Sequence, residues 1–404
     1  MKFSLLRKSP WYRILLWVTL SACLILLWQL STSVLFSPRA VSNEDHWRYW
    51  GAWNLTTRGE NPYDAKSFLE LQDVIQGLDD QPEYVPVILV PPWTIVLITP
   101  FAVLNYFTSR LLWLITSIVF FLISAVTIWR IYEGSTRTLW FALIVSFTFA
   151  PTIFILILGQ INPWILIGLV GFLFWTTQRR NDWLAGISVA LITIKPQLFI
   201  PFWIVLLLWI VQQRRWKIPL ACGLAIAAAS LLLMNLNPLI FQQFLDTYLL
   251  NAPLEWYTPT LGLYLRLLMG MEKFWMQFVA PIIAIIWSIY YWFRRGDDWQ
   301  WTRDIIPLLW VSVLASPYSW TYDQIILIIP ILSVTIGLSR HGWNRNTTLW
   351  LGIYWFINIS TLILHRYFTD DKFIWLAPVL LIWYWLANRS FSARASLPES
   401  SAID

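Results

Sequence analysis

Apolar residues in this chain neither alternate nor recur as narrow stripes; they come in long runs separated by short polar links. The runs cover approximately 14–36, 86–104, 109–130, 138–158, 161–176, 183–195, 197–211, 216–236, 274–293, 304–316, 324–338, 347–364 and 373–388. Crossing the ~30 Å hydrocarbon core takes about 20 residues of helix. Several runs fall short of that and are expected to be tilted, broken, or completed by polar ends buried in a bundle. Helices satisfy their backbone within one segment, whereas a transmembrane barrel would show short alternating segments. The pattern predicts an all-α polytopic integral membrane protein of about 11–13 transmembrane helices, with residues 1–390 forming one transmembrane domain and 391–404 a disordered tail.

The links set the orientation. Lys and Arg gather at the N-terminus, at Arg179–Arg180, at Arg214, Arg215 and Lys217, at Arg294, Arg295 and Arg303, at Arg340 and Arg345, and at Arg389 and Arg394. Such links remain cytoplasmic, so both termini are expected inside. The segments around Lys195–Pro196, 237–262, Ser316–Asp323 and His365–Lys372 then face outward, as does the long first loop, 37–85. Strict counting from 86 to 176 gives the wrong parity for Arg179–Arg180. Either the run at Pro91–Pro92 is re-entrant or a neighbouring run fails to cross.

Composition agrees: 58% of residues are hydrophobic and 12% charged, with 30 tryptophans and a net charge of +6. A soluble domain carries about 25% charged residues, and indoles favour the membrane interface. No basic patch interleaved with aromatics suggests a nucleic-acid surface. Cys23 and Cys222 lie in apolar runs, and His46, His341 and His365 lack ligand spacing. No Asp-x-Asp is present, so no obligatory metal or other cofactor is expected. The basic start followed by the run 14–36 resembles a signal peptide, but the run is long for an h-region and no A-x-A-like site follows, so a retained first helix is expected.

Candidate chemistry sits in the outward segments. Glu44 and Asp45 follow the first run at membrane-surface depth, where a carboxylate can take a proton from an attacking hydroxyl. An acidic surface turn leading into a membrane-surface helix would look the same. Lys195 is the one charge between Asp182 and Arg214; an ionisable group there is costly and marks a functional site unless it snorkels to the interface. Gln160 and Asn162 are placed either to meet substrate or to satisfy a broken helix. His365 and Arg366 are placed to neutralise a lipid phosphate or to stand in a solvated loop with Asp370, Asp371 and Lys372. In 237–262, Asn251, Glu255, Trp256 and Tyr257 form a candidate acceptor lip.

Asp45 and Tyr49, then Gly59-Glu60-Asn61-Pro62-Tyr63-Asp64, resemble the opening signature of glycosyltransferase family 87, polyprenyl-phosphate-dependent membrane enzymes of the GT-C fold. In family order follow Val90-Pro91-Pro92-Trp93 with Thr99-Pro100-Phe101, then Gly159-Gln160-Ile161-Asn162, Lys195-Pro196-Gln197 and Ser316-Pro317-Tyr318-Ser319-Trp320. The resemblance implies a GT-C-like bundle and a mannosyltransferase-like enzyme that moves a hexose from a polyprenyl-phosphate sugar to a lipid or glycan acceptor, with inversion, on the non-cytoplasmic face; the lack of long hydrophilic inserts and of organellar retention signals points to a bacterial plasma membrane. Asp45 inherits the part of catalytic base, with Glu44 as the adjacent alternative. Lys195, Gln160, Asn162, Tyr49, Tyr63, Asp64, Ser319, Trp320, Tyr322, Asp323, His365 and Arg366 become donor-phosphate or substrate residues. One position departs from the pattern: many members carry His where this chain has Tyr322, which leaves that role vacant or passes it to Asp323, Lys195 or His365. The rivals are a lipid-linked sugar flippase, which calls for ionisable groups along a path through the spans, and a non-catalytic scaffold.

Overall fold

The computed structural model describes residues 45–76, 88–250, 256–340 and 345–395. The expected first helix, Glu44, the stretch 77–87, Asn251 to Glu255, His341 and the last residues of the chain lie outside them. Among the described residues the chain is helical throughout, with no strand: a polytopic membrane bundle. The elements are α1 Asp45–Thr57, α2 Ala65–Gln76, α3 Pro92–Ala102 (largely 3₁₀), α4 Tyr106–Ile131, α5 Thr136–Phe147, α6 Ala150–Leu158, α7 Asn162–Thr177, α8 Asp182–Ile192, α9 Pro196–Gln213, α10 Lys217–Leu236, α11 Ile240–Leu250, α12 Leu261–Met269, α13 Phe274–Arg295, α14 Trp301–Ala315, α15 Thr321–Arg340, α16 Arg345–Leu364 and α17 Leu376–Ala395, the last preceded by a 3₁₀ turn, Asp370–Trp375.

Six of these, α4, α9, α10, α13, α15 and α16, are long and apolar enough to cross a membrane. The pair α5–α6, bent by 61°, counts as a seventh when taken as one span. The bend has identifiable causes. Pro151 removes a helical donor, and α16 fills the gap: Asn358 Oδ1 accepts from the Ala150 N–H at 2.8 Å, and Trp355 Nε1 donates to Thr148 Oγ1 at 3.1 Å. A broken apolar helix survives in lipid when a neighbour satisfies the freed groups in this way.

The site side of the bundle is marked by Asp45, Gln160, Lys195 and Asp323, and the far side by the arginine links. Val90, just before α3, accepts from Tyr63 Oη at 3.3 Å, and Leu104, just after it, accepts from Trp50 Nε1 of α1 at 3.0 Å. Both ends of α3 therefore lie against the first loop, as a re-entrant Pro91–Pro92 run requires. The legs α4, α5–α6, α7, α8, α9, α10, α13, α14, α15, α16 and α17 then alternate in direction. Their far ends tie together through Arg215–Asp182 at 2.8 Å, Tyr132 Oη to Thr302 O at 2.7 Å, and Arg340 to the Tyr132 and Glu133 carbonyls. Among the described residues six helices, or seven with the bent pair, are long and apolar enough to cross by themselves, fewer than the sequence-predicted number. The short legs α7 and α8 meet the cavity at their site-side ends, through Gln160 before α7 and Ile194 and Lys195 after α8; irregular backbone is tolerated where it lines such a cavity. Helices α7 and α8 pack closely at Gly168, where an added Cβ would stand 2.7 Å from Leu191 Cβ and from the Ser188 carbonyl.

Two expectations need correction. Helix α1 is no membrane-surface helix: His46, Trp47, Tyr49, Trp50, Ala52, Leu55 and Thr56 are all buried. Its aromatic side chains pack on Tyr106 and Trp113 of α4 instead, which offsets the loss of solvent contact by burying large ring surfaces. Helix α17 continues to Ala395, into the stretch expected to be a disordered tail.

Candidate active site

The turn after α1 explains the Gly59–Asp64 motif locally. Gly59 has φ +72°, and the Glu60 N–H reaches the Leu55 carbonyl at 2.9 Å, which closes the helix with a left-handed cap. Asn61 Oδ1 accepts from the Tyr63 N–H, and Asp64 Oδ2 accepts from the Ser67 N–H and Oγ, capping α2. Much of the motif is thus turn chemistry that holds Asn61, Tyr63 and Asp64 on the cavity wall.

That cavity has a volume of about 1600 Å³. Asp45, Arg48, Tyr49, Gln160, Lys195, Tyr322, Asp323 and Asp370 lie on its wall, brought from widely separated parts of the chain. Asp45 opens α1, and its side chain is only 13% exposed. Arg48, one turn on, pairs with Oδ1 at 3.1 Å, and the Gln160 amide donates to Oδ2. The Gln160 carbonyl in turn accepts from Tyr49 Oη at 3.1 Å. Burial raises the Asp45 pKa above the ordinary carboxylate value, against the opposing pull of Arg48, Lys195 and the Gln160 hydrogen bond.

A second charged cluster stands beside it. Lys195 Nζ donates to Asp323 Oδ1 at 2.6 Å and to Asn162 Oδ1 at 3.0 Å, and lies 4.8 Å from the centroid of the Tyr322 ring. The Asn162 amide donates to Asp323 Oδ1 at 2.8 Å, and Asp323 Oδ2 accepts from the Trp320 N–H at 2.9 Å. Lys195 is held inside the bundle and does not snorkel. Gln160 and Asn162 spend their side chains chiefly on the two carboxylate clusters rather than on repairing a helix, one reaching Asp45 and the other Asp323 from the same short link.

Gly159 makes that link possible. It adopts φ +67°, and a Cβ there would sit 2.7 Å from His46 Cβ. Trp113 Nε1 donates to the Gly159 carbonyl at 2.9 Å, and buried Arg110 caps α6 at the Leu156 and Ile157 carbonyls. His46 Nε2 meets Ser109 Oγ at 3.0 Å, and burial followed by the Arg110 charge pushes its pKa well below the ordinary value, which keeps the imidazole neutral.

A third carboxylate, Asp370, completes the wall. Its Oδ1 lies 3.0 Å from His365 Nε2, and its Oδ2 accepts from the Thr321 N–H at 3.0 Å. His365 thus stands one hydrogen bond behind the cavity, packed on Phe154 and Phe373. Arg366 is exposed and off the wall, Ser319 is buried behind it, and Asn162 acts through Lys195 and Asp323. Trp320 is on the wall, and Trp256 packs on Tyr318 and Trp320 at the lip. Sequence reasoning left out Arg48, Arg110 and Trp113, and placed Asp370 only in a solvated loop. Of these only Arg110, a lone charge at the head of an apolar run, carried a readable signal.

Comparison with known proteins agrees with this arrangement. The profile of glycosyltransferase family 87 matches residues 89–317. An α-(1→3)-arabinofuranosyltransferase of Mycobacterium tuberculosis is 26% identical over 78% of this chain and 74% of its own length. One from Mycolicibacterium smegmatis is 25% identical over 72% of this chain and 68% of its own. These relatives are named for a pentofuranose, not for the mannose the sequence resemblance suggested. No solved structure matches.

Proposed function

Since this chain belongs to glycosyltransferase family 87 and is a multi-pass membrane glycosyltransferase, we propose that its cavity transfers a sugar from a polyprenyl-phosphate donor to a lipid or glycan hydroxyl on the non-cytoplasmic face. Orientation follows from the far side, which gathers the arginine links, Arg179–Arg180, Arg214–Arg215, Arg294–Arg295 and Arg340 among them; such links stay in the cytoplasm of a plasma membrane. Nucleotide sugars are cytoplasmic, so an outward cavity calls for a sugar carried through the membrane on lipid.

The observation that carries the reading is Asp45, a largely buried carboxylate on the wall of a 1600 Å³ cavity that also presents Lys195. Small-ligand pockets run to about 1000 Å³, so this one has room for a sugar, its phosphate and an acceptor together. Asp45 accepts the proton of the acceptor hydroxyl as that oxygen attacks the anomeric carbon. The bond from that carbon to the phosphate oxygen breaks on the opposite side, which inverts the configuration. A general base of this kind contributes about 10²–10⁴-fold. An ammonium carries three donors; Asp323 and Asn162 engage two of those of Lys195, and the third is available to the departing phosphate. Positive charge placed where negative charge develops is what lowers such a barrier. Tyr322, in the position of the family imidazole, lies under that ammonium, and Asp323 holds it, so Lys195 takes the phosphate-binding part. Asn61, Tyr63, Asp64 and Trp320 offer hydrogen bonds and a ring face to the sugars.

The sugar named for the relatives, arabinofuranose, is the first donor to test, with polyprenyl-phosphate mannose beside it. Purified protein is given each radiolabelled donor with a lipid extract as acceptor, and wild type is compared with Asp45→Asn. Transfer that falls by about 10²–10⁴-fold in the variant, with donor still bound, is expected. Unchanged transfer would remove Asp45 from the chemistry, and no transfer with any donor would sink the enzyme reading.

A further inference from the structure

Arg48 stands on the cavity wall, and among the described residues its guanidinium has one ion-pair partner, Asp45 Oδ1 at 3.1 Å. The two side chains, three residues apart on α1, share one face of the helix. A guanidinium carries five donors in a fixed fork, and the Nε of this one is buried with no hydrogen-bond partner.

The two charged clusters of the wall hang on one link. Gln160 grips Asp45, Asn162 grips Lys195 and Asp323, and a single residue, Ile161, separates them. Burial raises the Asp45 pKa, and Arg48 and then Lys195 are the charges that most oppose it. Both cations therefore act on one carboxylate.

Charge moves in a defined way during the transfer proposed above, on which the following rests. The donor is a phosphodiester with one negative charge, whereas the departing polyprenyl phosphate is a monoester with about two. The extra charge forms as the bond from the anomeric carbon to the phosphate oxygen breaks and its electron pair stays on that oxygen. In the same step the acceptor proton passes to Asp45, and the carboxylate charge disappears. Arg48 thus loses its anionic partner just as a second charge develops on the phosphate. Lys195 is placed differently, because Asp323 stays ionised throughout.

We propose that Arg48 is the second phosphate cation of the site, leaving Asp45 as that carboxyl is protonated and turning to the departing phosphate. In the resting site the Asp45–Arg48 pair is neutral overall and contributes little to holding the diester. An interaction made only as the bond breaks lowers the barrier rather than the ground state, and a fork of donors suits the oxygens of a phosphate.

The full-length protein in detergent is titrated by calorimetry at about pH 8, where a phosphate monoester is a dianion. The probes are farnesyl phosphate and its methyl ester, which carries one charge. Asp45→Asn, which imitates the protonated carboxyl and frees Arg48, is expected to tighten the dianion by about tenfold or more and the methyl ester much less. Adding Arg48→Gln should abolish that gain, and adding Arg48→Lys instead should keep part of it, with the methyl ester bound alike by all three as the sign of an intact site. A gain for the dianion that survives in Asp45→Asn/Arg48→Gln would come from the lost carboxylate charge alone and overturns the proposal, as does Asp45→Asn with no gain. Either result leaves the lipid-phosphate donor standing, whereas a wild type that binds neither ester overturns that reading too.

Discussion

Gln160 is a residue whose whole effect passes through another. Its amide donates to the ionised form of Asp45, one of the influences holding that carboxyl down against the upward push of burial. A base works only when ionised, so kcat/KM rises with pH through the Asp45 pKa and levels off above it. That acid limb is expected above the ordinary aspartate value, and Gln160→Met should shift it to still higher pH, because the deprotonated form loses a hydrogen bond. A pH–rate profile checks this, and an unmoved limb would separate Gln160 from the reacting carboxylate. Lys195 allows a different dissection. Lys195→Met leaves Asp323 buried without its cation, and breaking a buried pair costs about 3–5 kcal/mol. Adding Asp323→Asn should restore most of the thermal stability but none of the transfer. If the double variant recovered transfer, the lysine would be structural alone.

Single helices decide where those residues stand, and the link between α6 and α7 is the tightest case. Gly159→Ala forces an L-residue into left-handed backbone, at about 1–2 kcal/mol, and also drives its Cβ into His46. The expected result is a lower unfolding temperature with a larger loss of transfer, since Gln160 and Asn162 both turn on this point; normal transfer would show that the link tolerates movement. Much of this level was legible in the sequence. Continuous apolar runs announced the long helices, and Lys195 stood out because nothing charged surrounds it. The break within 138–158 carried one signal, Pro151, but its position and angle were not legible, because Thr148 and Phe149 leave the run apolar and the groups that stabilise the bend come from α16. Arg48 and Asp370 escaped for the opposite reason. Each lies among other charges, and the partners that give it meaning are on the folded wall rather than nearby in sequence.

The whole bundle imposes one orientation on all of this. With the arginine links inside, Tyr367→Cys in an otherwise cysteine-free chain should react with an impermeant maleimide in intact cells, and Arg214→Cys only after permeabilisation. The reverse pattern would put Asp45 in the cytoplasm and remove the argument for a lipid-borne donor. The order of the wall residues along the chain has a further consequence for biogenesis. Asp45 belongs to the first described helix, Lys195 to the middle of the bundle, and Asp370 to the link between the last two legs. Helices enter the bilayer in the order of synthesis, so a nascent chain carries Asp45, the proposed base, from the start but closes the wall around it only when the final hairpin inserts. On the proposed mechanism, a partly made enzyme exposed to donor lipid in the same membrane therefore remains inert until translation is nearly complete.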